Sequence, residues 1–244
     1  MEVRSFGITM GIAAVTLLIQ ALPARADLIL NGGFEITTGN ASSFKLSPGT
    51  APNAPDDWTF SSLGDIGCVV FPASTTSQTN ACGAGFTSLY PGWTLSPAGG
   101  NFVAMDGGAA YAGTLSQSVN VVFGQTYDVS FYQAAEQYEF YTGATTEQWH
   151  VTFDGQSQDS DLMNNASTGF VPWELETLQF TATTTGSTLL SFLAEGTPGG
   201  EPPVVLLDSV GVSVATSPEP ATYGFLALGL FGIIGVRRSR KRRG

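Results

Sequence analysis

The sequence predicts an all-β protein whose central part folds as one β-sandwich, and three observations carry that expectation. Only 12% of the 244 residues are charged while 43% are apolar, a balance that supports one sizeable core and excludes a disordered chain. The 30 glycines and 13 prolines suit many short strands joined by turns. From Asp27 to about Ser213 short runs are rich in β-formers, and no stretch keeps the period of an amphipathic helix.

Strands are expected near Leu28–Leu30, Gly67–Phe71, Phe102–Met105, Thr114–Val122, Thr126–Gln133, Gln148–Phe153, Leu175–Ala182, Thr188–Ala194 and Val204–Val214. Alternation is clear in the fifth, where Tyr127, Val129 and Phe131 share one face and Asp128 and Ser130 the other. Nine such runs in one domain make a sandwich the expected architecture. The stretch from Thr37 to Asp57, with three prolines and many Ser, Thr and Asn residues, reads as a long surface loop. No internal repeat is visible.

The two ends read as addresses, which divides the chain into residues 1–26, 27–217 and 218–244. Arg4 precedes an apolar run from Phe6 to Leu22, and Ala24 and Ala26 stand at the −3 and −1 positions of a cut between Ala26 and Asp27. That is the pattern of a secretory signal peptide, with a retained membrane helix as the alternative. At the other end Ser217-Pro218-Glu219-Pro220 leads into an apolar stretch, Ala221 to Val236, and then into six basic residues between Arg237 and Arg243. As a helix that stretch reaches about 24 Å, short of a hydrocarbon core of roughly 30 Å, and snorkelling arginines can extend it. The basic end keeps to the cytoplasm.

The order Pro218-Glu219-Pro220, short Gly-rich span, Arg-rich end resembles the PEP-CTERM sorting signal of Gram-negative bacteria. The resemblance implies a transient stay in the inner membrane, processing by an exosortase near the motif, and delivery to the cell surface or extracellular matrix. The catalytic residues of that processing belong to the exosortase. An ordinary C-terminal membrane anchor is the alternative.

Charge narrows the partners of the central domain. Between Asp27 and Ser217 stand eighteen carboxylates and a single Lys or Arg, Lys45. Nothing there neutralises phosphates, which excludes a nucleic-acid partner.

Asn31-Gly32-Gly33-Phe34-Glu35, Trp58 and Leu207-Asp208-Ser209-Val210 together resemble the galactose-binding-like jelly rolls of many carbohydrate-binding modules. The resemblance implies a jelly-roll-type sandwich with a structural Ca²⁺ held by Glu35 and Asp208 between the first and last strands. Ser209 departs from the pattern, where a second aspartate is common. The residues themselves point the same way for Asp208. On a strand of period two it shares a face with Leu206, Val210, Val212 and Val214, and a carboxylate among apolar neighbours needs a partner. A hard cation with an oxygen shell suits it, and a position at the strand end, solvated or bonded to a turn, is the alternative.

Cys68 and Cys82 enclose thirteen residues. After export a disulfide is the first expectation, worth about 3 kcal/mol for a loop of about 15 residues. A reduced pair and a metal pair remain the alternatives.

Three classes of function follow. Glu136-Gln137-Tyr138-Glu139-Phe140-Tyr141 mixes rings and carboxylates between two strands, so Tyr138, Phe140 and Tyr141 are the expected stacking residues of a module that binds a surface polysaccharide. Trp58, Trp93, Trp149 and Trp173 are further platforms or, more ordinarily, core. The second class is a structural matrix protein without a specific ligand, its acidic surface bridged by Ca²⁺. The third is a glycoside hydrolase, for which Glu174 and Glu176 on one strand face supply a carboxylate pair. With His150 as the sole histidine and no Gly-x-Ser-x-Gly turn, triad chemistry is not expected, and no catalytic residue is assigned.

Overall fold

The computed structural model describes residues 27–38, 44–45, 49, 54–62, 67–70, 89–90 and 92–216. The expected signal peptide, the sorting segment, Cys82 and much of the Thr37–Asp57 stretch lie outside them.

Among the described residues all regular structure is strand: β1 (Phe44–Lys45), β2 (Thr59–Ser62), β3 (Gly67–Val70), β4 (Phe102–Asp106), β5 (Gly113–Val121), β6 (Thr126–Gln137), β7 (Thr145–Phe153), β8 (Gln156–Asp159), β9 (Met163–Asn165), β10 (Val171–Thr181), β11 (Gly186–Thr197) and β12 (Pro203–Val214). They form two antiparallel sheets, a first in the order β1-β3-β4-β12-β6-β10 and a second in the order β2-β5-β11-β7-β8 with β9 also on β7. From β4 onward the chain changes sheet at nearly every connection, so the fold is a β-sandwich of the jelly-roll type.

Alternation explains the layers. On β7 the inward residues Trp149, Val151 and Phe153 alternate with half-buried Gln148, His150 and Thr152. Phe192 is the centre of the inter-sheet core, with Phe131, Trp149 and Trp58 rings 5.1, 6.1 and 6.5 Å away in edge-on contacts. A second apolar layer lies on the outer face of the first sheet, where Phe102, Ala104, Leu206 and Ala134 meet Leu89, Trp93 and Tyr138. Both faces of β4 and β12 are therefore covered, which is why Phe102-Val103-Ala104-Met105 and Val204-Val205-Leu206-Leu207 read as unbroken apolar runs.

The structure corrects several expectations. Leu28–Leu30 is not a strand: the Leu28 N–H reaches Val212 O, but the Leu30 N–H is taken by the Gln117 side chain, whose own amide donates to Leu30 O. β6 runs on to Gln137, so Glu136 and Gln137 belong to a strand rather than to a connection. The face expected for Asp208 is half right. A bulge follows it, with Ser209 at φ 51°, and this flips the later residues. Asp208 shares the outer face with Leu206, whereas Val210 and Val212 point into the inter-sheet core and Val214 is exposed.

Candidate functional site

Two places bring the sequence's site residues together, and a third was not foreseen. The first is the contact between the start of the domain and β12. Asn31 builds it: its Oδ1 accepts the Ile36 N–H at 2.9 Å, its Nδ2 donates to Asp56 O at 2.8 Å, and its carbonyl accepts the Trp58 indole N–H at 3.0 Å. The Gly32 carbonyl accepts the Val210 N–H, and a Cβ on Gly32 would lie 1.9 Å from Val210 O, so only glycine permits this approach.

The turn sets Glu35 beside Asp208. Glu35 Oε1 accepts the Asn101 N–H at 2.7 Å, and Asp208 Oδ1 accepts the Ser209 N–H at 2.6 Å. Asp208 is buried, and its Oδ2 has no hydrogen-bond partner. Burial is the main cause that pushes its carboxyl up to about 6; the nearby Glu35 charge adds to it, while the Ser96 hydroxyl and the Ser209 N–H oppose it. A Cβ on Gly33 would stand 3.8 Å from Glu35 Cγ and 3.9 Å from Asp208 Oδ1, so the missing side chain leaves space in front of both carboxylates. A neighbouring pair of carboxylates, one exposed and one with an orphaned buried oxygen, fits a hard divalent cation such as Ca²⁺.

The second place is the turn after β6. Tyr138 is only 2% exposed and packs in the outer apolar layer, so it offers no ring face to a ligand, which corrects its expected stacking role. Its phenol is pushed well above the ordinary range by burial and by the Asp106 charge. Phe140 is 82% and Tyr141 40% exposed. Phe140 also adopts φ 79°, rare for a bulky residue. The Tyr141 carbonyl accepts the Tyr90 hydroxyl at 2.8 Å, and the Thr142 N–H donates to Glu201 at 3.1 Å, which ties this turn to the loop after β11.

The third place is a cleft of about 710 Å³ on the outer face of the second sheet. Its floor crosses four strands through the register pairs Ser61↔Thr114, Thr114↔Leu193, Glu195↔Gln148 and Thr197↔Thr146. Ala109, Ala112 and Leu162 from neighbouring connections wall it. Hydroxyls, one amide, one carboxylate and two leucine faces together suit a polyhydroxylated ligand. No linear motif announces the cleft, because its floor is assembled across β2, β5, β7 and β11, with Leu193 to Thr197 of β11 as its one continuous run; the half-buried polar alternation of β7 is the trace it leaves in sequence.

The remaining candidates have structural roles. Trp58, Trp93 and Trp149 are buried, and the Trp173 indole donates to Thr94 O at 2.8 Å. Glu174 and Glu176 converge on one amide, the Gln133 Nε2, at 2.8 and 3.1 Å. Burial, with Asp161 and Glu174 nearby, raises the Glu176 carboxyl. Cys68 is disulfide-bonded.

Residues 218–241 match the PEP-CTERM protein-sorting motif. The PEP-CTERM match falls wholly on the tail beyond the described sandwich, and it marks export through the exosortase pathway. No curated protein matches the chain. Among solved structures the chain is similar to the module TmCBM61 in complex with β-1,4-galactotriose, at 18% identity over 78% of this chain and 99% of that one, with a TM-score of 0.44. It is similar also to a CBM4 structure, at 16% identity over 77% and 99% of the two chains with a TM-score of 0.35. A third is the CBM22-1 xylan-binding domain from Paenibacillus barcinonensis, at 15% identity over 81% and 99% with a TM-score of 0.35.

Proposed function

We propose that this PEP-CTERM protein is a non-catalytic polysaccharide-binding protein of the cell surface or extracellular matrix, released from a transient inner-membrane stage by an exosortase. The observation that carries the reading is the open cleft on the second sheet, of about 710 Å³ and lined by Ser61, Thr114, Gln148 and Glu195 beside Leu162 and Leu193. Sugars present hydroxyls at their edges and C–H groups on their faces, and this lining answers both. Phe140 and Tyr141 add exposed rings on the turn after β6. Ca²⁺ between Glu35 and Asp208 is part of the proposal as a structural ion that neutralises the buried Asp208 and the exposed Glu35 and fixes the first turn to β12. No step of chemistry is assigned: among the described residues Glu195 is the one carboxylate that lines the cleft, and two-carboxylate hydrolysis needs a pair across the bond.

The test is retention of the full-length chain, purified in detergent, on the producing cell's own exopolysaccharide, with release of reducing sugar measured in parallel. The reading expects retention without release, weakened at least tenfold in Gln148→Ala and severalfold in Phe140→Ala at unchanged melting temperature. No retention at any Ca²⁺ concentration would overturn it in favour of a structural matrix protein. Released sugar would overturn it in favour of a hydrolase.

A further inference from the structure

We propose that His150, Asp159 and Glu195 form a binding site for a divalent d-block cation of the zinc type on the outer face of the second sheet, beside the cleft. They stand on the adjacent strands β7, β8 and β11 respectively, with β7 in the middle. His150 is the register partner of Asp159 on one side and of Leu193 on the other, and Glu195 pairs with Gln148 two residues along the same face. One ligand atom from each lies within 4.8 Å of the other two. Zinc bonds of about 2.1 Å place tetrahedral ligand atoms about 3.4 Å apart, so the adjustment of the three side chains is within the reach of rotation.

The surroundings favour a cation over a plain ion pair. His150 Nδ1 stands 2.6 Å from Asp159 Oδ1, and Glu195, with a ligand atom within 4.8 Å of both, has no salt-bridge partner among the described residues. The Gln148 amide donates to Glu195 Oε2 at 3.0 Å, orienting that carboxylate and leaving its other oxygen to a metal, the outer-shell support that ligating carboxylates ordinarily have. Lys45, the one Lys or Arg between Asp27 and Ser217, belongs to β1 at the edge of the other sheet. An imidazole nitrogen beside two carboxylates selects zinc-type ions, whereas the Glu35–Asp208 pair offers oxygen alone and suits calcium. The His150 and Asp159 side chains are 35% and 53% exposed, so coordination positions remain open to solvent. Glu195 belongs both to this group and to the cleft lining, yet the site stands independently of the polysaccharide reading, because it is defined by protein ligands alone.

The experiment is a calorimetric titration of the untagged full-length chain in detergent with zinc chloride, in excess Ca²⁺ so that hard oxygen sites are already filled. His150 is the sole histidine, so its imidazole resonances report zinc binding directly in an NMR spectrum of the same sample. The site predicts one equivalent of zinc, a zinc-dependent shift of those resonances, and affinity weakened at least tenfold in both His150→Ala and Glu195→Gln, with Glu139→Gln as parent. Melting temperatures without zinc verify that the variants fold. Absence of zinc binding in the parent, unmoved imidazole resonances, or parental affinity in both folded variants would overturn the proposal.

Discussion

The two sheets bury their inner faces alike and treat their outer faces oppositely. On the first sheet the outer face is sealed by Leu89, Trp93 and Tyr138 over Phe102, Ala104, Ala134 and Leu206. On the second it lies open, a floor of Ser61, Thr114, Gln148, Leu193 and Glu195 under a cleft. A sealed face exchanges apolar surface for stability, and an open one keeps polar groups available to a ligand. Changes on the first should therefore read out in melting temperature, and changes on the second in binding.

The sharpest blow to that contrast comes from the sealed face. Phe102 is fully buried between the Trp93 and Trp173 rings, each 5.4 Å away edge-on, and Phe102→Ala should lower stability by about 4 kcal/mol, measured by denaturant unfolding of the full-length chain. A loss no larger than that of an open-face substitution would erase the distinction. Next in size is the Ca²⁺ proposed between Glu35 on the first turn and Asp208 on β12. Ca²⁺ at a hundred times its Kd should stabilise the parent by about 2.7 kcal/mol, and Asp208→Asn should remove that response to chelator; a melting curve indifferent to chelator in the parent would contradict it.

Acidity gives a smaller effect. Burial, with the Glu147 charge second, pushes the Glu136 carboxyl up to about 8 against the Gln137 N–H, and burial pushes Glu147 up to about 8 against the Thr145 hydroxyl. A carboxyl whose folded value is raised binds its proton more tightly when folded. Its contribution is therefore fully present below the ordinary value of 4.5 and is lost as pH rises through about 8. The melting temperature should fall between pH 5 and pH 9 on this account, and Glu147→Gln should flatten the profile. The smallest effect belongs to the open face: Thr114→Ala, on a half-buried polar position, should change stability by less than about 0.5 kcal/mol in the same unfolding assay.

What the sequence reveals of this contrast depends on how local the cause is. The sandwich is legible because strand alternation is a period-two signal within single segments, as in Tyr127, Val129 and Phe131. β8 escapes notice because Gln156-Ser157-Gln158-Asp159 has no apolar residue and pairs only along one edge of β7. Asp208 and Glu35 are legible as a pair through their short motifs, but the bulge at Ser209 that turns Asp208 away from Val210 is a backbone event with no side-chain signature. Within the aromatic run composition suggests equal roles, and the structure divides them: the Leu89↔Tyr138 bridge carries Tyr138 under the outer layer, whereas Phe140 lies in the turn beyond. The cleft is the least legible feature, since register across four strands assembles it.

Asp154 marks the opposite pole from Asp208. Its carboxylate accepts Thr183 and Thr184 backbone and hydroxyl donors at 2.6 to 3.1 Å, and these bonds, the Thr184 hydroxyl foremost, hold it down to about 2. A satisfied carboxylate closes a loop; an unsatisfied one, such as Asp208 with its orphaned oxygen, leaves room for an ion.

The most direct test of the open face as the binding surface is a paired measurement on the full-length chain, retention on the cell's exopolysaccharide against melting temperature, for Gln148→Ala and Phe102→Ala. The account predicts that Gln148→Ala loses retention at least tenfold with an unchanged melting temperature, while any loss in Phe102→Ala follows its fall in stability. Retention equal to the parent in a folded Gln148→Ala, Leu193→Ala double variant would contradict it.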